Sequence, residues 1–159
     1  MIIIIYLSII SFILILLIYA IWRWHRSRAI SQFYLCLDGH LVKSRGEWMV
    51  DATLQYLGIA HEYEKSLQMY GRTIYPDFSL GHKIYIEYWG LQTKSYLKHK
   101  KQKQKLYKRS KYHLINIENE DLKNLLHVLT HRLQKFKNFF PIISQYIKNY
   151  KSIKEGKFS

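Results

Sequence analysis

The chain has 159 residues, which suggests one domain plus accessories, and its 25 Lys and Arg against 11 Asp and Glu give a formal net charge of +14. That balance points to a polyanionic partner, either nucleic acid or anionic lipid. A single cysteine, Cys36, excludes an intramolecular disulfide and a cysteine-rich zinc site, and it reads as a small buried apolar residue.

In chain order, Met1 to Ile21 carries no charged residue. A helix of about 20 apolar residues spans the roughly 30 Å of bilayer hydrocarbon. Nothing basic precedes Ile2, and the run ends in Trp22-Arg23-Trp24-His25-Arg26-Ser27-Arg28. That ending reads as an uncleaved interfacial anchor rather than a signal peptide. The expectation is one transmembrane helix over 1–22, with the N-terminus outside and the rest cytoplasmic, then a juxtamembrane linker over 23–35.

Residues 36–138 read as one compact domain of about 100 residues, enough for a modest core. Ser44 to Leu57 is helical in pattern, with Ser44 and Glu47 as a capping box and Gly58 as its stop. Ile59 to Lys65 alternates as a strand does. A turn near Tyr70-Gly71 leads to a second strand, Arg72 to Leu80, and Gly81-His82 makes a tight hairpin. Lys83 to Trp89 is the strongest strand, rich in β-branched and aromatic residues. Thr93 to Arg109 is a long polar helix, Tyr112 to Ile117 a short buried strand, and Glu120 to Phe136 an amphipathic helix. Residues 139–159 supply a last helix, Ile142 to Ile153, and a tail. The order is α-β-β-β-α-β-α, an α/β arrangement of three consecutive strands and a helical crossover to a fourth.

Two acids fall at the ends of adjacent strands. The hairpin at Gly81-His82 brings the neighbourhoods of Asp77 and Glu87 alongside one another. Two carboxylates among apolar neighbours are costly without a cation between them, and Mg²⁺ characteristically takes one or two carboxylates. Glu47 is a third acid, readable as a helix-cap partner alone or as a group extending toward that metal. From Tyr88 to Ile117 there are nine Lys or Arg and no acid. This run reads as a solvated helix face, a lipid-facing patch, or a track for nucleic-acid phosphates.

A helix-borne Glu, then Pro-Asp at one strand, then an acid in the next apolar strand resembles the layout of the PD-(D/E)XK nucleases. The string Asp38-Gly39-His40-Leu41-Val42-Lys43-Ser44-Arg45-Gly46-Glu47 is similar to the opening motif of one branch of that superfamily. The same branch continues with elements matched here by His61-Glu62-Tyr63-Glu64, Pro76-Asp77-Phe78 and Ile84-Tyr85-Ile86-Glu87-Tyr88-Trp89-Gly90. Tyr96 and Lys103-Gln104-Lys105-Leu106-Tyr107 complete the series. The resemblance covers residues 36–136 in order.

It implies a restriction-endonuclease-like αβββαβ core with a four-stranded mixed sheet, behind the transmembrane helix. It also implies Mg²⁺- or Mn²⁺-dependent hydrolysis of DNA phosphodiester bonds with low sequence specificity. Asp77 and Glu87 would hold the metal, with Glu47 as a further ligand. The lysine expected two residues after Glu87 is Trp89 here, so Lys103 takes the catalytic role, with Lys101 and Lys105 as rivals. Lys94, Lys98, Lys101, Lys105, Lys108 and Arg109 would contact phosphates. His40 and His61 read as structural hydrogen-bonders, and Glu64 as a supporting or folding residue. The alternative is a catalytically silent DNA tether on the same fold.

Overall fold

The computed structural model describes residues 2–27 and 33–154, with side chains over 10–23 and 33–150. The chain divides into two compact units, Met1–Gln32 and Phe33–Ser159. The first is helix α1, Ile2–Ser27. Among the described residues no helix is long and apolar enough to cross a membrane. That overturns the expected single-pass topology, and nothing among the described residues supports the membrane as a partner. Residues 28–32 of the expected linker and 155–159 of the expected tail lie outside the described residues.

The second unit begins with a short antiparallel pair, β1 (Tyr34–Leu35) and β2 (Leu41–Val42). Helix α2, Arg45–Tyr56, follows, and Ser44 caps it through its hydroxyl, which accepts from Glu47 N at 3.2 Å. The return half of the expected capping box shifts by one residue. Glu47 Oε2 accepts from Lys43 N at 2.9 Å instead of from Ser44.

The sheet has four strands in the order β3 (Glu62–Tyr63), β6 (Phe78–Ser79), β7 (Ile84–Trp89) and β8 (His113–Glu118). β3–β6 and β6–β7 are antiparallel and β7–β8 is parallel, so the sheet is mixed. The strand expected over 72–80 is two strands. β5 (Arg72–Ile74) pairs with β4 (Leu67–Met69) in a separate hairpin, and β6 resumes after Pro76. Proline has no N–H to give a ladder and restricts the residue before it, so the chain leaves one sheet at Tyr75 and joins another at Phe78. Tyr70 and Gly71 turn the β4–β5 hairpin, both with positive φ, as a two-residue turn of the mirror-image type requires.

Alternation along β7 sorts its side chains onto two faces. Ile84, Ile86 and Tyr88 join the main core with Val50, Leu54, Ile115, Ile117, Leu129, Leu133 and Ile143. These come from α2, β8, α4 (Leu125–Leu133) and α5 (Phe140–Lys154). Tyr85 faces the opposite way and packs with Tyr107 and Leu106 of α3 (Lys94–Lys108). Glu87 and Trp89 share that second face. The helix expected over 120–136 opens as a 3₁₀ segment, Asn119–Asn124. Asp121 there accepts from Glu118 N at 2.9 Å and binds Arg132 through both oxygens at 2.9 and 3.0 Å. Asn124 then leaves helical geometry before α4 begins.

Gly46 makes room for β7. A methyl group built there would lie 2.0 Å from Tyr88 Cζ, inside any permissible contact. Gly46→Ala is expected to destabilise the domain by about 1–3 kcal/mol through overpacking, read as a lower urea midpoint with unchanged slope. An unchanged midpoint would show that Tyr88 is free to move aside.

Candidate metal-binding cleft

The β6–β7 register pairs Phe78 with Ile86 and Ser79 with Tyr85. One step further along the same register sets Asp77 opposite Glu87. Asp77 is fixed from both sides: its main-chain oxygen accepts from Glu64 N at 3.0 Å, and its Oδ2 accepts from Tyr88 N at 2.6 Å. Glu87 is only 2 % exposed because α3 covers its face of the sheet.

Helix α3 also brings the cation. Lys103 Nζ lies 2.5 Å from Glu87 Oε1 and donates to Tyr75 O at 2.8 Å. Trp89, in the position where a lysine was expected, is buried. Its indole donates to Asn116 Oδ1 at 2.8 Å, and its ring meets Tyr96. The strand position is thus a packing site, and the ammonium arrives from the helix above.

Glu47 reaches the same cleft from α2, where Tyr63 O–H donates to its Oε2 at 2.7 Å. Lys43 N donates to Tyr63 Oη at 3.1 Å, while Lys43 Nζ grips Glu64 at 2.5 and 2.7 Å. Glu47, Glu64, Asp77, Glu87, Lys43 and Lys103 all line one opening of about 520 Å³, with Arg72, His99 and Gln102 on its walls. Tyr63 and Lys43 had no assigned role in the sequence reading, although both lie inside its motifs. Their function appears only when β3 is seen beside α2.

Burial is the main cause that pushes Asp77 up to about 7 and Glu87 up to about 8. Glu47 adds to the shift at Asp77, and Asp77 adds to it at Glu87; Lys103 opposes both. Oxygen donors held together at such a cost suit a hard divalent cation, Mg²⁺ or Mn²⁺.

The six basic residues assigned to phosphate contact sit elsewhere. Lys94, Lys98, Lys101, Lys105 and Lys108 recur at spacings of four and three, so at roughly 100° per residue they form one stripe. Lys103 lies roughly opposite that stripe on the helix. All five are exposed, as is Arg109 at the helix end. The inward lysines are instead Lys100, paired with Glu118, and Lys103.

No protein-family model matches the chain, and no curated protein matches it either. Among solved structures it is similar to the catalytic domain of the homing endonuclease I-Bth0305I, at 23% sequence identity and a TM-score of 0.45. The match covers 63% of this chain and 98% of that one.

Both raised pKa values mean that the unfolded chain ionises first as pH rises. The stability that Asp77 and Glu87 contribute is therefore full below about pH 4 and drains away as pH climbs through about 7 and 8. In EDTA the melting temperature should fall over that window, and the fall should flatten in Asp77→Asn with Glu87→Gln. Saturating Mn²⁺ at pH 8 should restore the wild type and release protons as it binds. Equal enthalpies in two buffers of different ionisation heat would mean that no proton is released and would refute the site.

Proposed function

We propose that the domain over 36–138 is a metal-dependent nuclease of the PD-(D/E)XK, restriction-endonuclease-like kind that hydrolyses DNA phosphodiester bonds with low sequence specificity. The observation that carries this reading is the meeting of Asp77, Glu87 and the Lys103 ammonium on one covered face of the sheet. An acid pair alone fits a cation site of any kind. A buried acid pair with a lysine at hydrogen-bond reach fits attack on a phosphate.

Asp77 and Glu87 would hold Mg²⁺ or Mn²⁺, and Glu47 would complete the oxygen set from α2. A bound divalent ion supplies Lewis-acid shielding of the phosphate and acidifies a water. The chain's own residues do the rest. Tyr88 N–H fixes the orientation of the Asp77 carboxylate, and Tyr63 O–H does the same for Glu47. Lys103, anchored on Tyr75 O, orients the attacking water or offsets negative charge developing on the phosphate. Lys43 and Arg72 at the opening suit the flanking phosphates of a bound strand.

A second reading, a catalytically silent DNA tether, is favoured by one observation. The outward lysine stripe of α3 faces away from Lys103, so it can hold a phosphate backbone that never enters the cleft.

The deciding experiment is cleavage of single-stranded, double-stranded and branched DNA by the full chain in Mg²⁺, Mn²⁺ or EDTA. The nuclease reading expects cutting that requires metal and is abolished by Asp77→Ala or Glu87→Ala. Lys103→Met should lower the turnover rate by about 10²–10³-fold, the scale for removing one preorganised donor. Lys98→Gln with Lys105→Gln should instead weaken binding and flatten its salt dependence. Salt-sensitive binding with no cutting under any metal would sink the nuclease and leave the tether.

A further inference from the structure

A second constellation lies outside the cleft, between the β1–β2 loop, α2 and the approach to β3. Cys36, His40 and Asp51 bring a ligand atom each to within 4.8 Å of one another. His61 adjoins this group through Asp51, with its Nε2 2.8 Å from Asp51 Oδ2. His40 Nε2 lies 3.1 Å from that same oxygen. Cys36 and Asp51 are buried, Asp51 to 1 % exposure, and the His61 side chain is 5 % exposed.

The outer nitrogens of both imidazoles are already committed. His40 Nδ1 lies 2.6 Å from Asp38 Oδ1, and His61 Nδ1 lies 2.9 Å from Ile59 O. Both partners are acceptors, so each Nδ1 carries the proton, and in a neutral imidazole each Nε2 is then a bare lone pair. Two lone pairs therefore converge on one carboxylate oxygen inside the protein. The other oxygen, Asp51 Oδ1, is satisfied by Gln55 at 3.0 Å. His40 Nε2 is a buried atom without a hydrogen-bond partner. A buried carboxylate oxygen facing two imidazole nitrogens calls for a proton on one of the rings or a metal cation among them, and the neighbouring thiol makes the place suitable for the second.

Imidazoles held at Nδ1 by a carboxylate and by a main-chain carbonyl, with Nε2 turned inward, are the supports that metal-ligating histidines ordinarily have. Cys36, His40 and Asp51, with His61 drawn in as a fourth ligand, would supply one sulfur, two nitrogens and one oxygen, which suits Zn²⁺ in four-coordinate form. It does not suit the hard, oxygen-seeking ions expected in the acid cleft.

We propose that Cys36, His40, Asp51 and His61 form a structural Zn²⁺ site, separate from the acid cleft, that clasps the start of the domain. On binding, the Cys36 thiol gives its proton to solvent and ligates as thiolate. The clasp ties 36–40 to α2 and to the strand leading into β3. Asp51 stands one helical turn from Glu47, and the His40 ring stacks on Tyr63 at 5.6 Å, the residue whose hydroxyl holds Glu47. The zinc site would therefore brace the wall of the cleft that α2 supplies.

The single cysteine makes the test spectroscopic. Co²⁺ is titrated into the metal-stripped full chain, and the absorption spectrum is followed. The expected result is a tetrahedral visible spectrum with a near-ultraviolet thiolate-to-metal charge-transfer band, saturating at one ion per chain and erased by Zn²⁺. The charge-transfer band should vanish in Cys36→Ser and persist in Asp77→Asn with Glu87→Gln, which separates this site from the cleft. Total zinc in the chain as purified should fall in His61→Gln but not in the cleft variant. A wild-type chain that takes up Co²⁺ without the charge-transfer band would overturn the proposal, because no other thiol exists to produce one. The wild-type titration decides the matter even where a variant does not fold. Cleavage activity plays no part in the readout, so loss of the nuclease reading would leave this result standing.

Discussion

The domain is organised around the cost of placing two carboxylates opposite one another at the β6–β7 pairing. Asp77 and Glu87 face one another across antiparallel strands on a face that α3 closes off. Unopposed, such a pair is costly through desolvation and like-charge repulsion together. The neighbourhood offsets that cost from several directions. Tyr88 N–H binds Asp77, Lys103 binds Glu87, and the protons retained at neutral pH express what is left over. Under the proposed function, a divalent cation would offset this pair more fully than one ammonium does.

Neighbouring features follow from keeping that pair in place. Pro76 follows the end of the β5 ladder and precedes Asp77, so the acid stands immediately before the first residue of β6 rather than deep in a strand. Tyr88 presents its N–H to Asp77 and threads its ring past Gly46 of α2, with its hydroxyl on Asn119. One tyrosine thus connects the acid, the first helix and the segment before α4. Its space requirement explains a glycine inside a helix, where glycine is otherwise unfavourable.

Much of this was legible in the chain because it is written in local periodicity. The alternation of Ile84, Ile86 and Tyr88 against Tyr85, Glu87 and Trp89 identifies β7 and its two faces. The turn signal at 81–82 places the hairpin, but the register that sets Asp77 opposite Glu87 comes from a three-residue turn over 81–83, one residue longer than expected. Local pattern was silent where partners are distant. Nothing near Pro76 says that residues 72–74 belong to a different hairpin, because that depends on Leu67–Met69 being free to pair. The 3₁₀ opening at Asn119 depends on Arg132 reaching back to Asp121. The sequence reading set Lys103 apart from the phosphate-contact lysines of α3 but gave Lys100 no role, and only tertiary packing reveals that Lys100 also turns inward, to Glu118. His40 and His61 read singly as hydrogen-bonders, which they are at Nδ1. Only the fold reveals that their Nε2 atoms meet at Asp51. The apolar run at the N-terminus was read as a span, and among the described residues no helix meets that requirement.

The division of α3 also bears on how the helix exists at all. Lysines at 94, 98, 101, 105 and 108 stand three and four residues apart, the spacing at which like charges destabilise a helix. The helix has no acid in its first turn to offset them. It is held by the Thr93 cap, by burial of Tyr107 against the sheet, and by the inward pairs Lys100–Glu118 and Lys103–Glu87. Two sheet acids therefore serve as counter-charges for the helix that covers them. Under the proposed function, a divalent cation held by Asp77 and Glu87 would take over the neutralisation of Glu87, and Lys103 would be available to a phosphate. Helix stability and the proposed chemistry thus depend on the same ammonium, and this gives a physical reason for supplying the lysine from α3 while Trp89 fills the strand position.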